Sequence, residues 1–284
     1  MTRLDIAMVW RVTADIVHRH FSTFVTLTAA FAFLPSVFLA VAFPQAGVFR
    51  LPVPGQAPPP FPTGLILLGV LSGLVGLVGH FSIGAIAADP SEGGGRSLGQ
   101  IIVGVLPKIG KGLLAGLYLL VVYLAVCFVA AVIIIVFAAM SGAVSGMPTA
   151  VPPGGALPAP TGPAIMVGGL LLVIIVPLMI WAAARLSPML GVLLREPLSA
   201  FDSIKRAWTL SRGSAVPITG MLLLVGVASL VVGILVQSIG TALGLNAGVG
   251  LLLVVVVRSA VSALIAVYYY TGTAVIYRQL VEQR

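Results

Sequence analysis

Arg258 is the residue whose position most needs explaining. It stands well inside an apolar run, 249–277, and none of the chain's long apolar runs contains an Asp or Glu. A charge at that depth costs at least about 2.5–3.5 kcal/mol on insertion scales, so intramembrane ionisable groups are functional candidates by default. At about 100° per residue, Ser262, Tyr269 and Thr273 fall on the same helical face. A guanidinium on such a stripe could hold an anion, such as a lipid phosphate or a carboxylate. The plainer reading is an Arg that snorkels outward or bonds free carbonyls near a kink. His80 is the second candidate ligand-binding residue. It shares a face of run 63–88 with Gly69, Gly73, Gly76 and Gly84, a small-residue pattern expected to pack inside a bundle. The imidazole could relay protons, or it could simply bridge two helices.

Other chemistry is not supported. The spans lack paired carboxylates, which argues against acid–base hydrolysis. His18 and His20 lie two apart rather than four, and no HExxH occurs, so no metal site is expected. Residues 91–97, SEGGGRS, and 211–214, SRGS, lack the phosphate-loop pattern. The expectation is no catalytic residue, no cofactor and no enzymatic activity.

The elements that must position these residues are membrane helices. Of the 284 residues, 60% are hydrophobic and only 8% charged, against about 25% charged in soluble domains. Runs of about twenty apolar residues span a bilayer as helices. The reading is an all-α integral membrane protein, one domain over 1–284. Its six transmembrane helices are expected at about 21–43, 63–88, 112–140, 164–184, 215–239 and 249–277. Pro35 should kink the first. Residues 44–62 and 141–163 read as Pro-rich loops on the outer side. The single cysteine, Cys127, has no partner for a disulfide within the chain. The mixed-charge residues before the first run, with Asp5 and Asp15, make too long a leader for a cleaved signal.

Amphipathic surface helices are expected at about 4–20, 97–111 and 199–212. Arg11, Asp15, His18 and Arg19 form the polar arc of the first, with Trp10 suited to an interface. In the third, Ser199 and Asp202 fit a capping box and Gly213 a C-terminal cap. Phe201, Ile204, Trp208 and Ser211 share its apolar face, and Asp202, Lys205, Arg206 and Thr209 the other. Trp10, Arg11, Arg19, Lys205, Arg206, Trp208 and Arg212 are thus candidate membrane-surface or docking residues.

The formal charge is +8, but the basic residues flank apolar spans and show nothing specific to nucleic acid. With six spans, all Lys and Arg except Arg50 and Arg258 fall on one side, as do all seven acids. Positive-inside then puts both termini in the cytoplasm, with anionic lipids the expected partners and a protein partner open. The pattern of surface stretch, span, outer loop and returning span begins near residues 5, 97 and 197. That is either three parallel hairpin repeats or the ordinary rhythm of any six-span chain.

The polar stretch 185–213 also resembles a family. Glu196, Ala200, Lys205–Arg206, Trp208, Leu210 and Gly213 look like the bacterial proteins called glycerophosphoryl diester phosphodiesterase membrane domain, although Ala207 stands where that family usually has Ser. HRHFSTFV at 18–25 and IYRQL at 276–280 fit as well. The resemblance implies a bacterial inner-membrane location and a link to glycerolipids. It does not imply phosphodiesterase activity, because the soluble catalytic barrel of fused members and its acidic metal ligands are missing. Three functions follow as expectations. The first is a non-enzymatic protein that binds or translocates a lipid-like or anionic amphipathic molecule, anchored by Arg258. The others are a membrane scaffold docking partners on its surface helices and a proton-coupled transporter using His80.

Overall fold

The computed structural model describes residues 4–43, 63–90, 96–140, 162–245 and 248–282. They are helical, with no strand among them. Six helices are long and apolar enough to cross a membrane, and this is an all-α, six-span membrane protein. The Pro-rich loops lie outside the described residues, except that 162–163 already belong to a helix, and residues 91–95 of the turn after the second span lie outside them too. Two compact units arise, Met1–Ala46 with Pro62–Ala115 and Ile180–Arg284, and Gly47–Phe61 with Gly116–Met179.

In the larger unit, α1 (Ile6–Arg19) starts at Asp5, whose carboxylate accepts the Met8 N–H at 3.2 Å as an N-cap. Its polar arc is exposed, while Val9, Thr13, Ile16 and Val17 are buried. The chain bends at His20 and the first span follows in three pieces: α2 (Phe21–Thr28), a π-helical turn (Ala29–Phe33) and α3 (Leu34–Ala42). Pro35 explains the turn. It offers no N–H to the carbonyl of Phe31 and its ring crowds that oxygen, and widening the helix by a residue relieves both.

α4 (Thr63–Ala88) packs on that wide turn. Only part of its glycine face packs as expected. On that face a Cβ at Gly69 or Gly73 meets nothing within 4 Å, at Gly76 it lies 3.7 Å from Phe31 O, and at Gly84 2.7 Å from Leu190 Cδ2; at Gly79, which lies beside the face, it falls 2.6 Å from Phe31 Cβ. The small-residue seam therefore belongs to the half of α4 near its C-terminus. Gly79→Ala should lower stability by about 1–3 kcal/mol through overpacking. Gly73→Ala should leave it unchanged or raise it slightly, as Ala is the better helix former. Thermal unfolding of the detergent-purified variants separates the two.

α5 (Leu98–Met140) corrects a second expectation. Residues 97–111 form no separate surface helix but the first turns of one 43-residue helix that continues through Pro107. A reciprocal capping box opens it, with Ser97 N–H donating to Gln100 Oε1 at 3.0 Å and Gln100 N–H to Ser97 Oγ at 3.4 Å. Ile101, Val105 and Ile109 then bury one stripe. Packing of Val105 and Ile109 with Phe81, Leu193 and Leu194 offsets the hydrogen bond lost at Pro107. The repeat survives only in part, since a separate helix precedes the first and fifth spans and not the third.

α6 (Gly162–Leu186) leads through Ser187 and Pro188 into a short helix missed in the sequence, α7 (Met189–Arg195). α8 (Ala200–Leu210) has the expected cap, Asp202 N–H donating to Ser199 Oγ at 3.1 Å. Gly213 has φ 88°, a left-handed turn suited to glycine. The buried stripe of α8, however, is Ala200, Ser203, Ala207 and Leu210, not the one containing Phe201, which is 52% exposed. Small side chains let α8 approach its neighbours closely, which outweighs the larger area of the Phe.

α9 (Ala215–Ala242) and α10 (Gly248–Glu282) complete the unit. α10 is the shared support, touching α1, the first span, α4, α7, α8 and α9. The large core cluster, with Val9, Phe24, Ile86, Val192, Leu210, Ile218 and Ile276, gathers around its last turns. Away from that end Leu67, Val70, Leu224, Leu230 and Leu253 are exposed, as suits lipid contact. In the smaller unit, which holds Gly116–Met140 of α5 and Gly162–Met179 of α6, the described side chains are mostly exposed.

Candidate functional site

α9 and α10 meet closely near their connection, where a Cβ at Gly240 would fall 2.5 Å from Val254. Further along they part around Gly226 and Gly233, leaving an open groove of about 420 Å³. Its walls are apolar except for Ser229, Arg258 and Ser262. Arg258 is exposed to that groove rather than enclosed in packed protein. The Ser229 hydroxyl donates to Val225 O at 2.7 Å, which leaves its lone pairs available to a donor.

Only half of the expected polar stripe takes part. Tyr269 is half-buried with its ring edge-on to Tyr270, centroids 5.1 Å apart. Thr273 is buried and donates to Tyr270 O at 2.9 Å. All four residues share a helical face, but what covers that face changes from groove to core along α10. His80 sits apart from them, stacked on Tyr270 at 4.0 Å between α4 and α10. Nothing in the sequence pairs those two helices at that register.

At the end where α1, α7 and α8 gather, the polar residues form a brace. Glu196 accepts from Arg206 Nε at 3.1 and 3.3 Å and from the Tyr277 hydroxyl at 3.1 Å. Arg185 lies over two indoles, 5.0 Å from the ring of Trp181 and 5.4 Å from that of Trp208, a cation–π arrangement. The Ser211 hydroxyl donates to Arg185 O at 2.9 Å, and the Lys108 ammonium donates to Leu194 O.

No known protein family, curated protein or solved structure matches the chain. The site therefore rests on its own geometry, which sorts the surface candidates. Arg206 pairs with Glu196 and Trp208 packs on Trp181 and Arg185, and both remain partly exposed. Trp10 is half-buried against the core. Arg11 and Arg212 are exposed, Arg19 pairs with Asp15 at 2.8 Å, and Lys205 lies 4.6 Å above the Phe201 ring. Among the described residues no three His, Cys, Asp or Glu side chains gather as metal ligands do. The residues overlooked in the sequence are Ser229, Tyr270, Tyr277 and Arg195. Of these only Tyr277 carried a signal, as part of IYRQL.

Proposed function

We propose that this chain is a non-enzymatic protein of the bacterial inner membrane that binds or moves an anionic amphipathic molecule. The observation that carries the reading is the groove between α9 and α10, where the Arg258 guanidinium and the Ser262 hydroxyl stand as donors within mostly apolar walls. A cation in hydrocarbon attracts an anion strongly because little water competes, and apolar walls suit an acyl chain. The distribution of Lys and Arg supports a cytoplasmic location for the end bearing both termini. The resemblance to the phosphodiesterase membrane domains supports a glycerolipid as the amphiphile.

Native mass spectrometry of the detergent-purified chain with added phosphatidylglycerol tests this. Arg258→Ala should retain the lipid about tenfold less well, equivalent to ~1.4 kcal/mol. Equal retention by the variant and the wild type would dispose of the reading.

A further inference from the structure

A second recess lies where α1, α4, α7 and α10 approach their C-terminal ends. It is lined by Arg19 and His20, by Ala88, Asp89 and Pro90, and by Arg195 and Arg278, around a cavity of about 480 Å³. We propose that this recess binds a phosphate monoester, the group that a phosphatidic-acid-type lipid presents as its headgroup.

Three guanidiniums from three different elements face one small space, and guanidinium forks match phosphate oxygens in geometry and charge. The one carboxylate in the lining does not cancel them. Asp89 lies 2.6 Å from Arg195 Nη2, which also donates to Ala88 O at 2.8 Å, so one guanidinium is fixed in place and Asp89 is neutralised by it. The other two are held loosely. Arg19 pairs with Asp15 one turn back, both more than half exposed, and Arg278 lies 3.9 Å from Glu282. Such i,i+4 pairs near the surface are weak because water and salt screen them, so an incoming dianion recruits both guanidiniums. Arg96 and Lys108 line a neighbouring recess on the other flank of Asp89 and add to the positive field.

The corner between α1 and α2 also lends Val17 and Phe21 to an apolar groove of about 500 Å³ shared with Phe24, Leu264 and Val267. An amphiphile whose head sits at Arg19 thus finds apolar surface on the adjacent residues. A phosphomonoester carries about −1.5 to −2 at neutral pH, whereas a diester headgroup carries a single charge. With Asp89 paired to Arg195, the lining keeps a formal surplus of two positive charges, which matches a dianionic monoester better than a singly charged diester. Arg278 is about 30 Å along α10 from Arg258, at 1.5 Å per residue, so this site and the Arg258 groove can fail independently.

The test is thermal unfolding of the purified full chain in neutral detergent with inorganic phosphate, short-chain phosphatidic acid or short-chain phosphatidylglycerol. Phosphatidic acid should raise the midpoint more than phosphatidylglycerol at equal concentration. Arg19→Gln combined with Arg278→Gln should abolish that difference, and Arg258→Ala should retain it. A rise with inorganic phosphate that the double variant also loses assigns the site to soluble phosphates; a rise with phosphatidic acid alone assigns it to the lipid. Lys205→Gln with Arg212→Gln removes the same charge elsewhere. The proposal is overturned if that pair erases the difference equally, if Arg19→Gln with Arg278→Gln leaves it intact, or if neither inorganic phosphate nor phosphatidic acid shifts the midpoint beyond phosphatidylglycerol.

Discussion

Replacing Gly191 with Ala lowers the unfolding free energy by about 1–3 kcal/mol, the usual penalty of overpacking, and in the upper part of that range. A Cβ at Gly191 would lie 2.5 Å from both Cβ and Cδ1 of Tyr277, and it would also meet Cγ. These atoms belong to the stem of the ring, so no rotation of a flexible tip relieves the clash. Tyr277 is only 6% exposed and its hydroxyl is held by Glu196. Either α7 lifts off α10 or Tyr277 abandons its hydrogen bond. Circular dichroism followed through thermal unfolding reads the loss. A wild-type midpoint for Gly191→Ala would mean that α7 does not press on Tyr277 as described.

Glu196→Ala should be comparably damaging, because one carboxylate serves two donors on different elements. Without it the Arg206 guanidinium and the Tyr277 hydroxyl both lose their acceptor, and an unsatisfied buried group costs about 1–3 kcal/mol. The side chains of Arg206 and Glu196 remain 37% and 21% exposed, so water recovers part of the loss and the expected total is about 2 kcal/mol. Tyr277→Phe alone should cost about 0.5–1.5 kcal/mol. Made in the Glu196→Ala background it should cost almost nothing, since the bond is already gone. That non-additivity in a double-mutant cycle is the signature of direct coupling; additive losses would mean that the residues stabilise the fold separately.

The features legible in the sequence were those fixed within one helix turn. The six spans, the disturbance at Pro35, the Ser199 cap and the turn at Gly213 depend on local composition and backbone preference alone. Where burial depends on which neighbour arrives, local reading failed. Gly69 and Gly79 look alike in sequence, but only Gly79 meets the wide turn at Phe31. In the third surface helix spacing alone shows the apolar face with Phe201, but that α8 buries Ala200, Ser203, Ala207 and Leu210 depends on the neighbours it meets. Glu196 and Tyr277 are 81 residues apart, and no periodicity brings them together. At the candidate site, Arg258 stood out because charge in an apolar run is rare. Ser229 did not, because a lone Ser in a span is common until an Arg stands across from it.

The length of α10 carries a further consequence. Its 35 residues measure about 52 Å at 1.5 Å per residue, against a hydrocarbon layer of about 30 Å. A helix that long projects beyond the oily layer or tilts strongly within it. The excess allows Arg278, 20 residues beyond Arg258, to reach headgroup level while Arg258 lies within the apolar run. Hydrophobic mismatch then becomes a control on the molecule: a thicker bilayer draws the C-terminal turns of α10 inward and a thinner one pushes them out. The depth of the basic recess, and the membranes in which this chain is at ease, are tied to acyl-chain length.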